Sequence, residues 1–223
     1  ILFLTDNSTS NGSWVTEDAS ISVSFSDYTS ILSAGSAVNA GQWNNGYLNS
    51  GISASNISST SGLITYQSGT SGRDVYGIVV SISGTTITTG SATLIYSGTT
   101  TASTSHCQTM LNGTNGLVMI QRASNCVAVP ITVSGTTITV GTASSAYGTS
   151  ALSSNLDIGQ AISMSSTVAV HAYRTNTSAP YTWVINTFTH NGSSAPTIGT
   201  ASSTVSVVDN YAGPALFKID STN

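Results

Sequence analysis

The phrase SGTTIT is written twice, at Ser83–Thr88 and at Ser134–Thr139, and a glycine follows each copy one residue later, Gly90 and Gly141. Upstream of the copies, VYGIVVSISG (Val75–Gly84) and CVAVPITVSG (Cys126–Gly135) set apolar side chains at every second position. That is the period at which successive residues of a strand alternate between faces. Gly84-Thr85 and Gly135-Thr136 then supply turn chemistry, because glycine accepts the positive φ that two-residue hairpins need. TTIT begins the return strand, whose β-branched residues favour extended backbone while the hydroxyls keep an edge polar. The phrase therefore predicts a hairpin ending in an edge strand.

Working outward, a further apolar strand precedes each hairpin: LITY (Leu63–Tyr66) and LVMI (Leu117–Ile120), with VAVHAY (Val168–Tyr173) and ILFL (Ile1–Leu4) as additional copies. Another strand precedes the three internal copies: GISASN, HCQTML and GQAISM. Glycines recur after the edge strand as Gly35, Gly90, Gly141 and Gly199, which sets the repeat number at four. Helix signals are nearly absent, since Ala, Leu, Glu and Lys never gather at a 3.6-residue period. The expected unit is four antiparallel strands in about 50 residues, the length of a propeller blade.

The predicted fold is thus all-β: one β-propeller domain over residues 1–223, with four antiparallel four-stranded blades at 1–45 plus 208–223, 46–98, 99–148 and 149–207. The chain starts on ILFL and finishes on PALFKIDSTN, and FKIDSTN followed by ILFLTDN reads like the internal junction TMLNGTN-GLVMI. Closure by exchange of N- and C-terminal strands is one expectation. Four blades cut from a larger ring is the other.

Composition narrows the function classes. Charged residues make up 5% of the 223 positions, against about 25% in an ordinary soluble domain. Ser and Thr fill 75 positions, so hydroxyls rather than ions cover the surface. Arg73, Arg122, Arg174 and Lys218 are scattered singly, so no patch is expected to neutralise the phosphates of a nucleic acid or an anionic membrane. No apolar run approaches the roughly 18 residues that span a bilayer, and no membrane insertion is expected. A net charge of -4 gives weak repulsion between copies, which suits packing in an assembly. The opening ILFLTDNSTS has neither a starting methionine nor a basic n-region, as in a processed chain or a section of a longer one.

LITYQSGTSGRDVYGIVVSISGTTITTGSATLIY (Leu63–Tyr96) and LVMIQRASNCVAVPITVSGTTITVGTA (Leu117–Ala143) resemble the repeats of tail-appendage and fibre proteins of tailed bacteriophages. Those repeats carry the rhythm V-Y-x-D … Y-G-x-A-x-V … V-S-G-T-T-I-T-x-G in propeller-like domains. The likeness fades in the first and last units, where Asp27 and Asn191-Gly192 replace the Ser-Gly turn, and Tyr66 is followed by Gln67 and Ser68 instead of Asp. The resemblance implies a non-enzymatic virion or extracellular surface protein with a structural or adhesive duty. Its implied partners are other virion proteins and copies of itself, with a host-surface glycan as a further candidate.

Sites for chemistry are sparse. Asp6, Ser8, Ser10 and Glu17 mimic a calcium loop, but the glycine falls one place late at Gly12, so no metal is expected there. His106, Cys107 and Cys126 form an incomplete ligand set, and no cofactor is expected. In an antiparallel blade Cys107 and Cys126 fall towards one rim, which allows a disulfide; two buried thiols are the alternative. Arg73, Arg122 and Arg174 occupy nearly equivalent places after the second strand of their units and could gather round one rim as an anion-binding set. Solvated loop arginines are the plainer account. Glu17-Asp18 point to opposite faces if on a strand, and His171 and His190 lack a Ser-Asp partner motif. Trp43, with Asn44, Asn45 and Tyr47, has a composition suited to stacking and hydrogen bonding on a glycan. Trp14 and Trp183 are read as packing residues. An extracellular carbohydrate-binding module and a fragment of a glycan hydrolase stand as alternatives to the structural role.

Overall fold

The computed structural model describes residues 52–68, 74–98, 105–122, 124–148, 159–175, 180–192, 194–202, 204–207 and 216. These residues form three antiparallel sheets and no helix. The first sheet runs β1 (Ser53–Asn56), β2 (Ser61–Ser68), β3 (Asp74–Ser83), β4 (Thr86–Thr89), with β5 (Thr93–Tyr96) also paired to β3. The second runs β6 (Ser105–Met110), β7 (Asn115–Gln121), β8 (Cys126–Ser134), β9 (Thr137–Val140). The third runs β10 (Gln160–Ser163), β11 (Val168–Arg174), β12 (Tyr181–Thr189), β13 (Thr197–Ile198), with β14 (Val205–Val207) also on β12.

Both copies of SGTTIT are two-residue hairpins, with Ser83 opposite Thr86 and Ser134 opposite Thr137. Gly84 and Gly135 sit at φ 60° and 58°, the left-handed region in which a side chain would be strained. The glycine that trails the phrase has its own task. The N–H groups of Gly90, Gly141 and Gly199 donate at 2.8 Å to the carbonyls of Val79, Pro130 and Thr187. At that point the outer strand breaks and resumes further along the same neighbour, as β5 on β3, as the Cys126–Tyr147 bridge on β8 and as β14 on β12. The first and third sheets consequently hold five strands, where the sequence predicted four.

A second phrase marks the turn between the first two strands of each unit: ISST (57–60), LNGT (111–114) and MSST (164–167). Ser58, Asn112 and Ser165 each accept with a side-chain oxygen from the backbone N–H two residues on, a local turn that these residue types stabilise. The last residue of each turn accepts through its carbonyl from the neighbouring long strand, at Ile82, Val133 and His190. These bonds align Leu63 and Leu117 with Val170, two residues beyond the Val168 that apolar patterning had suggested.

The second sheet is the middle layer. Its β7 alternates Val118 and Ile120 towards the first sheet with Leu117 and Met119 towards the third, all four fully buried. On β8, Val127, Val129, Ile131 and Val133 join the first core, and Cys126 and Ala128 the second. A strand covered on both faces reads as a continuous apolar run, which is why LVMI is apolar throughout and CVAVPI lacks the one-sided alternation expected of it. Each fully buried aliphatic side chain contributes about 1.5–3 kcal/mol relative to exposure. Glycines let the layers meet closely: a Cβ on Gly90 would run into the Thr136 carbonyl of the next sheet's hairpin. Within the stack β6 lies between β1 and β10. It is buried along its length, and Gln108 Nε2 donates at 2.9 Å to both Ser53 O and Leu63 O, tying the first two sheets together.

Candidate functional site

Among the described residues, the densest group of chemically capable side chains lies between the second and third sheets. β11 turns Ala169, His171 and Tyr173 inward, β12 adds Val184, Asn186 and Phe188, and the outer segment of the second sheet contributes Tyr147. Tyr147 stands edge-on to Tyr173 and Phe188 with ring centres 5.6 and 4.9 Å away, while His171 stacks on Tyr173 at 5.2 Å. Edge-to-face and offset arrangements of this kind suit the ring quadrupoles. Tyr147 Oη and His171 Nδ1 share a 2.7 Å hydrogen bond; Tyr173 Oη donates to Asn186 Oδ1 at 2.8 Å, and Asn186 Nδ2 donates to Gly199 O at 2.9 Å. Two glycines make room: a Cβ on Gly159 would lie 2.7 Å from His171 Nε2, and one on Gly148 would strike the Tyr173 ring.

Burial sets the charge states. Loss of hydration pushes the His171 imidazole down to about 3 and raises the phenols of Tyr147 and Tyr173, with Cys126 a lesser contributor to both phenols. His106 is the counterpart between the first and second sheets. Burial lowers it to about 4, with a weaker opposing effect from the Thr65 backbone, yet neither ring nitrogen has a hydrogen bond of ordinary geometry. Both rings are therefore neutral at pH 7. A general base must reach a proton on a bound molecule, and these rings are sealed between sheets at 1–2% exposure. The cluster is packing with its polar atoms paired, not an open reaction centre.

Cys107 and Cys126 are not joined in a disulfide. Cys107 lies opposite Met119 and Cys126 opposite Gln121, so β7 runs between them. Two strand spacings amount to about 9.5 Å, beyond the roughly 7 Å that a disulfide bridges. Both sit towards one end of the second sheet, and the intervening strand prevents the disulfide that a shared rim would allow. Burial also pushes the Cys107 thiol up, with Cys126 adding to the effect. Folded protein should react with a water-soluble thiol reagent only as fast as it unfolds; prompt labelling at pH 8 would contradict the burial of these two residues.

Arg122 and Arg174 do not converge. Arg122 reaches towards the first sheet, where Nη1 donates to Tyr96 Oη at 2.8 Å, the guanidinium lies 5.9 Å from the Tyr96 ring centre, and Nη2 donates to Asn125 Oδ1. Arg174 is the register equivalent of Gln121, not of Arg122, and its buried side chain belongs to the opposite, outer face of the third sheet. Gln121 Nε2 donates to the Arg174 carbonyl at 3.2 Å. Arg73 lies outside the described residues, as do Trp43, Asn44, Asn45 and Tyr47 and the calcium-like loop with Trp14. Trp183 is almost fully buried on β12. Among the described residues no group of three His, Cys, Asp or Glu is placed to hold a metal ion. Sequence reasoning missed Tyr147, Asn186 and Gln108, whose roles come from register across sheets; no local motif marks them.

No protein-family model, curated protein or solved structure matches this chain.

Proposed function

We propose that the chain is a non-enzymatic structural and adhesive protein of a virion, a tail appendage or fibre whose sheets are the blades of a four-bladed β-propeller. The observation that carries the radial arrangement is the common facing of equivalent positions. Leu63 packs towards the second sheet as Leu117 packs towards the third, and Val118 and His171 each face the sheet before their own. Repeated units that bury one face on the next neighbour in a constant sense generate rotation about an axis. β1, β6 and β10 form the inner row, and the Leu216 N–H donates to Gln160 Oε1 at 2.7 Å, in line with a further inner strand from the C-terminal segment. The phrase IDST (219–222) repeats ISST, LNGT and MSST in the matching place.

The structural and adhesive role is supported by two features. His106, His171, Cys107 and Cys126, which could do chemistry, are spent between the sheets, and the exposed hairpins are built of Ser, Thr and Gly. Antibody raised against the purified chain should decorate intact phage particles from its source and slow their adsorption to host cells. Undecorated particles, with the chain only in the soluble fraction, would count decisively against the virion role. Binding on a glycan array that is lost in Trp43→Ala would instead favour the carbohydrate-binding alternative.

A further inference from the structure

The front of the first sheet, facing away from the second, presents Ile64, Tyr66, Tyr76, Val80, Ile82 and Leu94. Tyr66 and Tyr76 are opposite each other and stack at 5.9 Å. Aligned on the repeat, five of these positions correspond to Val118, Ile120, Val127, Ile131 and Val133 of the second sheet, which the first sheet covers to 6% exposure or less. By contrast Ile82 is 46% and Leu94 44% exposed, although Ile78 on the same face is buried at 4%, and no described strand packs over this face. An apolar face of this breadth, beside such a polar surface, marks an interaction site.

We infer that this face is the docking surface for the chain's own residues 1–51, bound in cis through an apolar β face. Length is the first argument. The units repeat at offsets of 54 residues (Ile57 to Leu111) and 53 residues (Leu111 to Met164), and residues 1–51 supply enough chain for the strands that would cover this face. Position is the second, since that segment joins the first sheet at β1, next to the face in question. Sequence is the third: ILFL (1–4) has the continuous apolar character of LVMI, the signature of a strand covered on both sides, and ISVSF (21–25) alternates. A second copy would need the same face left open by its own N-terminal segment. The inference deepens the propeller reading and rests on the repeat register that underlies it.

The test uses the full-length chain with a benzophenone amino acid replacing Leu94 or, separately, Ile82, both exposed enough to tolerate the change. Illumination followed by peptide mapping should give an adduct within residues 1–51 of the same molecule, with a yield unchanged on dilution. A dimer-mass product, an adduct confined to residues 53–223, or no protein adduct in either variant would overturn the inference. A third probe at Ile185, on the outer face of the third sheet, separates the two ideas. If Leu94 captures residues 1–51 and Ile185 captures nothing, docking stands and ring closure fails.

Discussion

Acidification from pH 7 to pH 4 should remove about 6 kcal/mol of folding stability through two buried rings alone. The folded state holds His106 at about 4 and His171 at about 3, both below the 6.5 of a solvated imidazole, because burial penalises the charged form. A depressed folded pKa means that the unfolded chain binds protons more readily, so the contribution is intact above about pH 6.5 and is lost progressively as pH falls from there towards the folded values. Each ring costs about 3 kcal/mol at pH 4, which together rivals the 5–15 kcal/mol stability of a typical domain. Urea midpoints measured between pH 7 and pH 4 should therefore fall steeply, and less steeply in His106→Gln and His171→Phe, each of which removes one titration. His171→Phe also loses the Tyr147 bond, so its stability at pH 7 drops while its pH slope flattens. Parallel pH profiles for the parent and both variants would rule this account out.

Truncating Phe188 to alanine should cost about 3–5 kcal/mol, the range for removing a buried aromatic ring without collapse of the surroundings. Phe188 is fully buried, lies opposite Ala169 on β11 and packs its ring 4.9 Å from Tyr147. Ala169 cannot expand into the gap, and Tyr147 is held in place by its bond to His171 and its backbone pairing with Cys126. Thr139→Ala, on the exposed outer strand β9, should change stability by no more than about 1 kcal/mol. Chemical denaturation of the two variants side by side provides the measurement. Equal, small losses would mean that the second core is not packed as described.

Hairpins and their glycines were legible because their cause is local: two residues fix a turn, and φ near +60° singles out glycine. The strands before them were legible for the same reason. Face assignment was not, because Val127 and Ala128 look alike to a periodicity argument, and only the presence of a sheet on each side explains why both are buried. The offset at Val168 arose from matching apolar runs instead of the ISST-like turns that fix register. Among the site residues, a shared rim for the cysteines leaves out the strand between them, and aligning Arg122 with Arg174 by proximity to a strand end misses that a one-residue step reverses the direction of a side chain. His171 lies on a strand, as VAVHAY predicts, while the Tyr147 that bonds it is 24 positions away and no spacing rule joins the two.

The break at Gly90, Gly141 and Gly199 also bears on solubility. Sequences dense in Val, Ile and Thr with few ions are the raw material of fibrils, since a long bare ladder can template another molecule. Here the outermost ladder pauses after the four residues of β4 or β9, and the chain steps sideways before pairing again. An incoming strand would find no continuous row of amides to copy. In a chain with so little like-charge repulsion, that interruption acts as the gatekeeper against stacking.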